Sequence, residues 1–301
     1  MTEDSSPNLT GSTRAPKKTP GPWRRLGEAT LALLLSLLFP GLGQIFNHQP
    51  LKALAVAAAG PLLLLLSRTL ELLHSFPGLI TFLVLGMGLE FFVLGDAFWM
   101  AWKEKRKESP LRHRAVTLVS FIVLISFYVI ASFNHLSIDR ILQFGAFRLR
   151  ARSMAPTVCE DERIIVDTGV FTKKNPQRGD IVAFLYGPER ITYLKRIAAI
   201  GGDLVQGSDT TLYVNGKPFP RVPVGGTGCT DEFAADSEAD NNQSGPTRVP
   251  QGMFFVVGDN WNHSWDSRYP GFGFVSRDRI RGKPLFIYWS PYHSRIGKKI
   301  E

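Results

Sequence analysis

The chain has 301 residues, 44% of them hydrophobic and 20% charged, which is apolar overall and long enough for two modules. Nearly all its long apolar runs fall between residues 31 and 133, so a purely soluble cytosolic protein and a disordered chain are both excluded. The formal charge of +9 divides as 13 Lys/Arg against 8 Asp/Glu in residues 1–134 and 22 against 18 beyond; neither part carries a dense basic stripe interleaved with aromatics, and no nucleic-acid partner is expected.

Residues 1–27 are rich in Ser, Thr, Pro and Lys without apolar periodicity and read as a disordered basic cytoplasmic tail. The next apolar run lacks a small-residue cleavage site and is followed by further runs, so it is not a removable leader. Residues 28–134 then form a membrane region. Its run at 31–46 is broken by Pro40, Gly41 and Gly43, leaving about nine apolar residues before the break, too few to cross a bilayer. Residues 51–68, 79–102 and 115–133 are the candidate spans. The second ends in Trp99 and Trp102, suited to the headgroup level, and the third has no charge over about 19 residues.

Parity assigns the broken run. Six Lys/Arg lie between Lys103 and Arg114, and the tail carries Arg14, Lys17, Lys18, Arg24 and Arg25, so both segments belong in the cytoplasm. An even number of crossings must separate them. The Pro/Gly-broken run is therefore the non-crossing one, re-entrant or interfacial, and the 115–133 span delivers the rest of the chain outside. Glu90 and Asp96 lie within the second span and are assigned structural roles: Asp96 is close enough to Lys103 to approach the interface, and Glu90 would be neutral or paired. The stretch from Pro40 to Gln44 resembles the turn of small two-span membrane modules that are joined to other domains.

Residues 135–301 are expected to form an extracytoplasmic β domain. From Phe147 onward, short β-branched and aromatic runs at 163–166, 181–185, 192–200, 212–214, 254–257 and 285–289 are separated by Gly, Pro, Asn and Asp, which is the pattern of a mostly antiparallel fold. No βαβ unit, Gly-rich phosphate loop or His-Glu-x-x-His site occurs, so neither metal nor cofactor is expected. Cys159 and Cys229 are too few for a disulfide framework; one bridge in an oxidising compartment and two unpaired thiols both stay open. Residues 225–250, rich in Asp, Glu, Asn and Gly, read as a long exposed loop.

The chemistry-bearing segments are Ser153-Met154-Ala155-Pro156-Thr157 after Phe147-Arg148-Leu149-Arg150, then Arg178-Gly179-Asp180, Tyr193-Leu194-Lys195-Arg196, Gly201-Gly202-Asp203, Gly258-Asp259-Asn260 and Ser264-Trp265-Asp266-Ser267-Arg268. In order and spacing, across about residues 115–290, they resemble the type I signal peptidases, membrane-bound Ser-Lys endopeptidases of the bacterial envelope. The resemblance implies Ser153 as nucleophile and Lys195 as general base, its pKa lowered by an apolar strand. It further implies Ser264 as the hydroxyl that holds the amine, Asp266 with Arg268 as a supporting ion pair, and Asp259 with Asn260 as structural support. Arg196, on the opposite face of the strand from Lys195, reads as structural. Leu149, Ala151 and Leu194 would line the substrate site, with pockets for small residues before the cut and the substrate added as a strand.

One position departs from the pattern. Ala151 stands where the family often has a Ser whose hydroxyl helps hold the oxyanion, and Arg152 where a Gly is common; loss of such a donor costs about 10²–10³ in rate. The sequence therefore describes an N-terminal α-helical multi-span membrane region followed by a mostly antiparallel β catalytic domain. Its expected activity is removal of signal peptides from exported preproteins at the bacterial cytoplasmic membrane, with the catalytic domain periplasmic or extracellular and the lipid bilayer as a partner. The alternative is a catalytically weak or inactive scaffold that binds export substrates.

Overall fold

A computed structural model describes residues 21–103, 119, 122, 123, 126, 143–189, 191–208, 211–222, 229 and 245–301. Most of the third candidate span, the basic segment before it, the first 20 residues and most of the 225–250 segment lie outside the described residues. The chain divides into two units, Met1–Pro61 with Met87–Tyr128 and Leu62–Gly86 with Val129–Glu301.

The first unit contains helix α1 (Pro22–Leu38), the short α2 (Leu42–Phe46) and parts of α3 (Pro50–Thr69) and α4 (Phe76–Lys103). Residues 22–27, read from composition as part of the tail, are helical instead. Pro22 sits in the first turn, where its missing N–H costs nothing. Further along, Ala29 and Ala32 of α1 pack with Ala97 and Ala101 of α4 in one buried cluster; small side chains let helices approach closely. A Cβ on Gly43 would lie 2.2 Å from Ser36 Oγ and 2.3 Å from the Ala32 carbonyl, so only glycine fits there. The helix break falls where expected, with Phe39 extended and Gly41 at φ 103°. Buried Gln44 and Asn47 then donate to the Val93 and Ala97 carbonyls at 3.1 and 2.8 Å. Lys52 Nζ donates to Asp96 Oδ1 at 2.5 Å, so Asp96 is held by a partner helix. Glu90 is exposed. Both α3 and α4 are long and apolar enough to cross a membrane, and they bracket the 51–68 and 79–102 candidates.

The second unit is dominated by antiparallel strands: β1 (Phe144–Arg148), β2 (Arg163–Asp167), β3 (Ile181–Tyr186), β4 (Ile191–Ile200), β5 (Leu204–Ser208), β6 (Thr211–Val214), β7 (Lys217–Pro218), β8 (Thr247–Arg248), β9 (Met253–Val257), β10 (Val275–Ser276) and β11 (Ile280–Trp289). A one-turn helix, α5 (Val170–Lys173), comes after β2. The larger sheet runs β1-β2-β11-β3-β4-β9-β10 and the smaller β7-β6-β5-β8. The strands read from the sequence are present, with β11 starting five residues earlier than expected. Part of the 225–250 segment is not loop, because Thr247–Arg248 pairs with Leu204–Val205.

Two open strand edges in this unit frame a cleft. Strand β4 pairs with β3 along Ile191–Arg196, but with β9 only from Arg196 onward. Its first half therefore has one edge without a partner among the described strands, and β1 likewise pairs only with β2. Between these edges the cleft encloses about 560 Å³ and is lined by residues that include Phe147, Leu149, Ala151, Ser153 and Leu194. Beneath it, Met154, Val158, Ile164, Ala183, Leu194 and Ile287 form a buried core with Phe147 and Leu149 packed on it.

Candidate active site

Ser153 stands in a turn directly after the cleft wall, and Met154, fully buried, anchors that turn to the core. The turn is held from both sides. Asn260 donates its backbone N–H to the Ser153 carbonyl at 3.1 Å and its side-chain amide to the Arg152 carbonyl at 3.2 Å. Gly258 fits against them because it has no side chain: a Cβ there would lie 2.3 Å from the Ser153 carbonyl and 2.2 Å from Ser264 Oγ. The Gly258-Asp259-Asn260 segment is thus a backbone clamp on the Ser153 turn.

Lys195 comes from β4, where it is 1% exposed and paired in register with Val182. Its Nζ donates to Ser153 Oγ at 2.5 Å. Burial pushes the Lys195 ammonium down to about 8; the charges of Asp266 and Asp259 oppose that shift and Arg268 assists it. Desolvation wins because a buried ammonium loses hydration that carboxylates engaged by other partners restore only in part. Both acids are so engaged. Asp266 Oδ1 and Oδ2 accept from Arg268 Nε and Nη2 at 2.8 and 2.9 Å, and Oδ2 also accepts the Gly258 N–H at 2.8 Å. Asp259 accepts from Arg196 Nε and Nη2 at 2.7 and 2.8 Å and from Thr157 Oγ1 at 2.5 Å.

Each residue singled out in the sequence has a place in this arrangement. Asp266 and Arg268 are a buried ion pair, with Arg268 Nη2 also donating to the Trp261 carbonyl at 3.0 Å. Ser264 Oγ is buried and makes no hydrogen bond among the described residues, so it does not bond the Lys195 amine in this state. Ala151 lines the cleft. The neighbouring Arg152 side chain donates its Nε to Glu160 at 2.6 Å. Arg178 and Asp203, from two of the quoted motifs, pair with each other and tie the start of β3 to the β4–β5 turn. Cys159 and Cys229 form a disulfide.

Sequence reasoning misses several contributors. Asp259, accepting from both Arg196 and Thr157, links the strand of Lys195 to the segment after Ser153. Glu162 is fully buried and accepts from Arg295 Nε at 2.7 Å, Ser290 Oγ at 2.8 Å and the Cys159 N–H at 2.7 Å. These partners lie up to 133 residues apart, and nothing in local spacing announces them.

Residues 116–289 match the family model described as signal peptidase, peptidase S26. The chain is 33% identical over 154 residues to signal peptidase I of Bacillus licheniformis, covering 50% of this chain and 79% of that protein. It is 34% identical over 155 residues to signal peptidase I T of Bacillus subtilis strain 168, covering 48% and 74%. Over 196 residues it is 31% identical to signal peptidase I P of Bacillus subtilis subsp. natto, covering 62% and 94%. With more than half its length matched, and a serine and a buried lysine in contact beside an open cleft, the chain belongs to the signal peptidase family S26, serine endopeptidases that remove signal peptides.

Proposed function

We propose that Ser153 and Lys195 carry this endopeptidase activity, the carrying observation being the 2.5 Å contact between Lys195 Nζ and Ser153 Oγ inside a buried strand. With its pKa near 8, a useful fraction of Lys195 is neutral at working pH and accepts the Ser153 proton as the hydroxyl attacks the scissile carbonyl. The resulting ammonium then protonates the leaving amine, and the regenerated amine activates the water that releases the acyl-enzyme. Ser264 accepts or donates a hydrogen bond as the amine changes charge; its unused buried hydroxyl supports that role. Asp266–Arg268 and Asp259 with Asn260 keep the two reacting side chains in register.

The substrate lies extended in the cleft and adds to the open edge of β4, with small side chains accommodated by Leu149 and Leu194 and the scissile carbonyl beside Ala151 and the Ser153 N–H. Exported preproteins with small residues before the cut fit that space. The protein is a multi-pass component of the bacterial cytoplasmic membrane with residues 135–301 on the outer side. Three observations support that placement: two spanning-length helices, a basic segment at residues 103–114, and a Cys159–Cys229 disulfide, which persists in oxidising compartments.

The test uses detergent-solubilised protein and a preprotein. Ser153→Ala and Lys195→Ala should each abolish cleavage while the protein stays folded. Ser264→Ala should reduce the rate by a smaller factor and leave the melting temperature unchanged, since its hydroxyl makes no hydrogen bond among the described residues. Near-normal turnover in either of the first two variants would overturn the assignment.

A further inference from the structure

The outer end of the α3–α4 hairpin, within the same unit as the β domain, touches that domain through three side chains. Arg68 Nη2, in the last turn of α3, donates to Gln143 Oε1 at 2.9 Å. His74 places Nε2 3.4 Å from Asp167 Oδ2 and its ring edge-on to Phe144 at 5.1 Å. Phe76 meets Phe286 edge-on at 6.2 Å and packs against Gly297.

The Arg68 and His74 contacts converge on the point where the chain enters the sheet, and Phe76 packs on β11 beside it. Gln143 is held in a left-handed conformation, φ 57°, with its carbonyl accepting the Thr168 N–H at 2.7 Å. Its side chain lies against Gly169 so closely that a Cβ there would be 2.1 Å from Oε1. Asp167 is equally fixed, its Oδ1 accepting the N–H groups of Gly169 and Val170 at 2.7 and 2.9 Å, which leaves Oδ2 toward His74. Phe144 and Asp167 are register partners at the end of the β1–β2 pair. From there β1 runs to Arg148, and the chain continues through Leu149 and Ala151, which line the cleft with Phe147, to Ser153.

We infer that Arg68, His74 and Phe76 are positioning residues: the hairpin's outer turn is a second membrane anchor that fixes the start of β1, and through it the cleft, for substrates that are themselves held in the bilayer. The inference rests on the active-site reading given above. A membrane-inserted preprotein presents its cleavage site at a set depth, so a cleft that is loose relative to the bilayer meets it in the wrong geometry. A soluble peptide diffuses to the cleft wherever it stands. Productive alignment is sensitive to displacements of about 1 Å.

The experiment uses full-length protein in proteoliposomes, with two substrates sharing one cleavage sequence: a membrane-inserted preprotein and a short soluble peptide. In the triple variant Arg68→Ala/His74→Ala/Phe76→Ala, preprotein cleavage should fall roughly fivefold or more while peptide turnover changes by less than about twofold. Equal losses on both substrates, or no loss on the preprotein, overturn the inference. A second pair of variants guards against misfolding: Arg68→Glu should lower preprotein cleavage and Arg68→Glu/Gln143→Lys should restore it, and absence of rescue counts against the contact. Ser153→Ala in the same vesicles should cut neither substrate. If it cuts both, the active-site assignment fails independently of the hairpin comparison.

Discussion

Burying the Lys195 ammonium destabilises the fold at neutral pH, and the same burial suits the residue to its proposed role as base. A fall from 10.5 to about 8 corresponds to about 3 kcal/mol. Because the folded value lies below the unfolded one, the unfolded chain binds more proton between pH 8 and 10.5. Stability therefore rises across that window, and the full cost is present below it. Lys195→Met should be inactive yet more stable at pH 7, by about 1–3 kcal/mol once the lost Ser153 hydrogen bond is allowed for, with the difference shrinking toward pH 10.5; denaturant melts at pH 7 and 10 measure it. Conversely kcat/KM of the native protein should climb with pH and level off above about 8, and a flat profile from pH 6 to 9 would remove Lys195 as the base. In the proposed site the developing oxyanion would meet the Ser153 N–H with no side-chain hydroxyl at Ala151, while Arg152 is tied to Glu160. Ala151→Ser should raise kcat more than it changes KM, by roughly tenfold, or about 1.4 kcal/mol. An unchanged kcat in folded protein would mean that another donor already serves.

Strands and turns explain why some of this is legible in the sequence and some is not. Ser153, Lys195, Asp266 and Arg268 can be found because the order and spacing of their motifs resemble a known family. The strands β3, β4 and β9 are legible from their own β-branched and aromatic runs. Strand β1 largely escapes: Phe144–Arg148 mixes Gly, Ala and Arg on an edge, and its conformation depends on pairing with β2 rather than on its own alternation. Composition assigns residues 22–27 to the tail, whereas they form the start of α1, whose Ala29 and Ala32 pack on α4. Long-range pairs such as Glu162–Arg295 carry no local signal at all. The disulfide belongs to this class, since two cysteines 70 residues apart do not declare their pairing. Closing a loop of that length restricts the unfolded chain by about 4 kcal/mol in the chain-entropy account. Reductant should therefore lower the melting temperature markedly. Loss of activity should accompany it, because Cys159 lies in the segment clamped by Glu162 just after Ser153. An unchanged melt in reductant would show that the bridge contributes nothing to the fold.

At the scale of the whole molecule, contacts and charge together constrain the proposed topology more than either does alone. The turn between α3 and α4 touches β1, β2 and β11, so it and the β domain share one side of the bilayer. An even number of crossings must then lie between them. In the proposed topology α4 supplies one, which leaves the uncharged run at 115–133 as the other. This arithmetic holds whichever side is chosen, and the choice falls to charge: six Lys/Arg at 103–114 between those two crossings place that segment in the cytoplasm. The proposed topology therefore has the turn and the β domain outside, the tail with its basic residues inside, and α1–α2 as a segment that does not cross. A reporter enzyme active only outside the cytoplasm should be silent when fused after Arg14 and active after Arg68 and after His135. Activity after Arg14 would make α1–α2 a crossing. Silence after His135 with activity after Arg68 would break the shared-side contact and put the Ser153–Lys195 pair where exported preproteins never present a cleavage site.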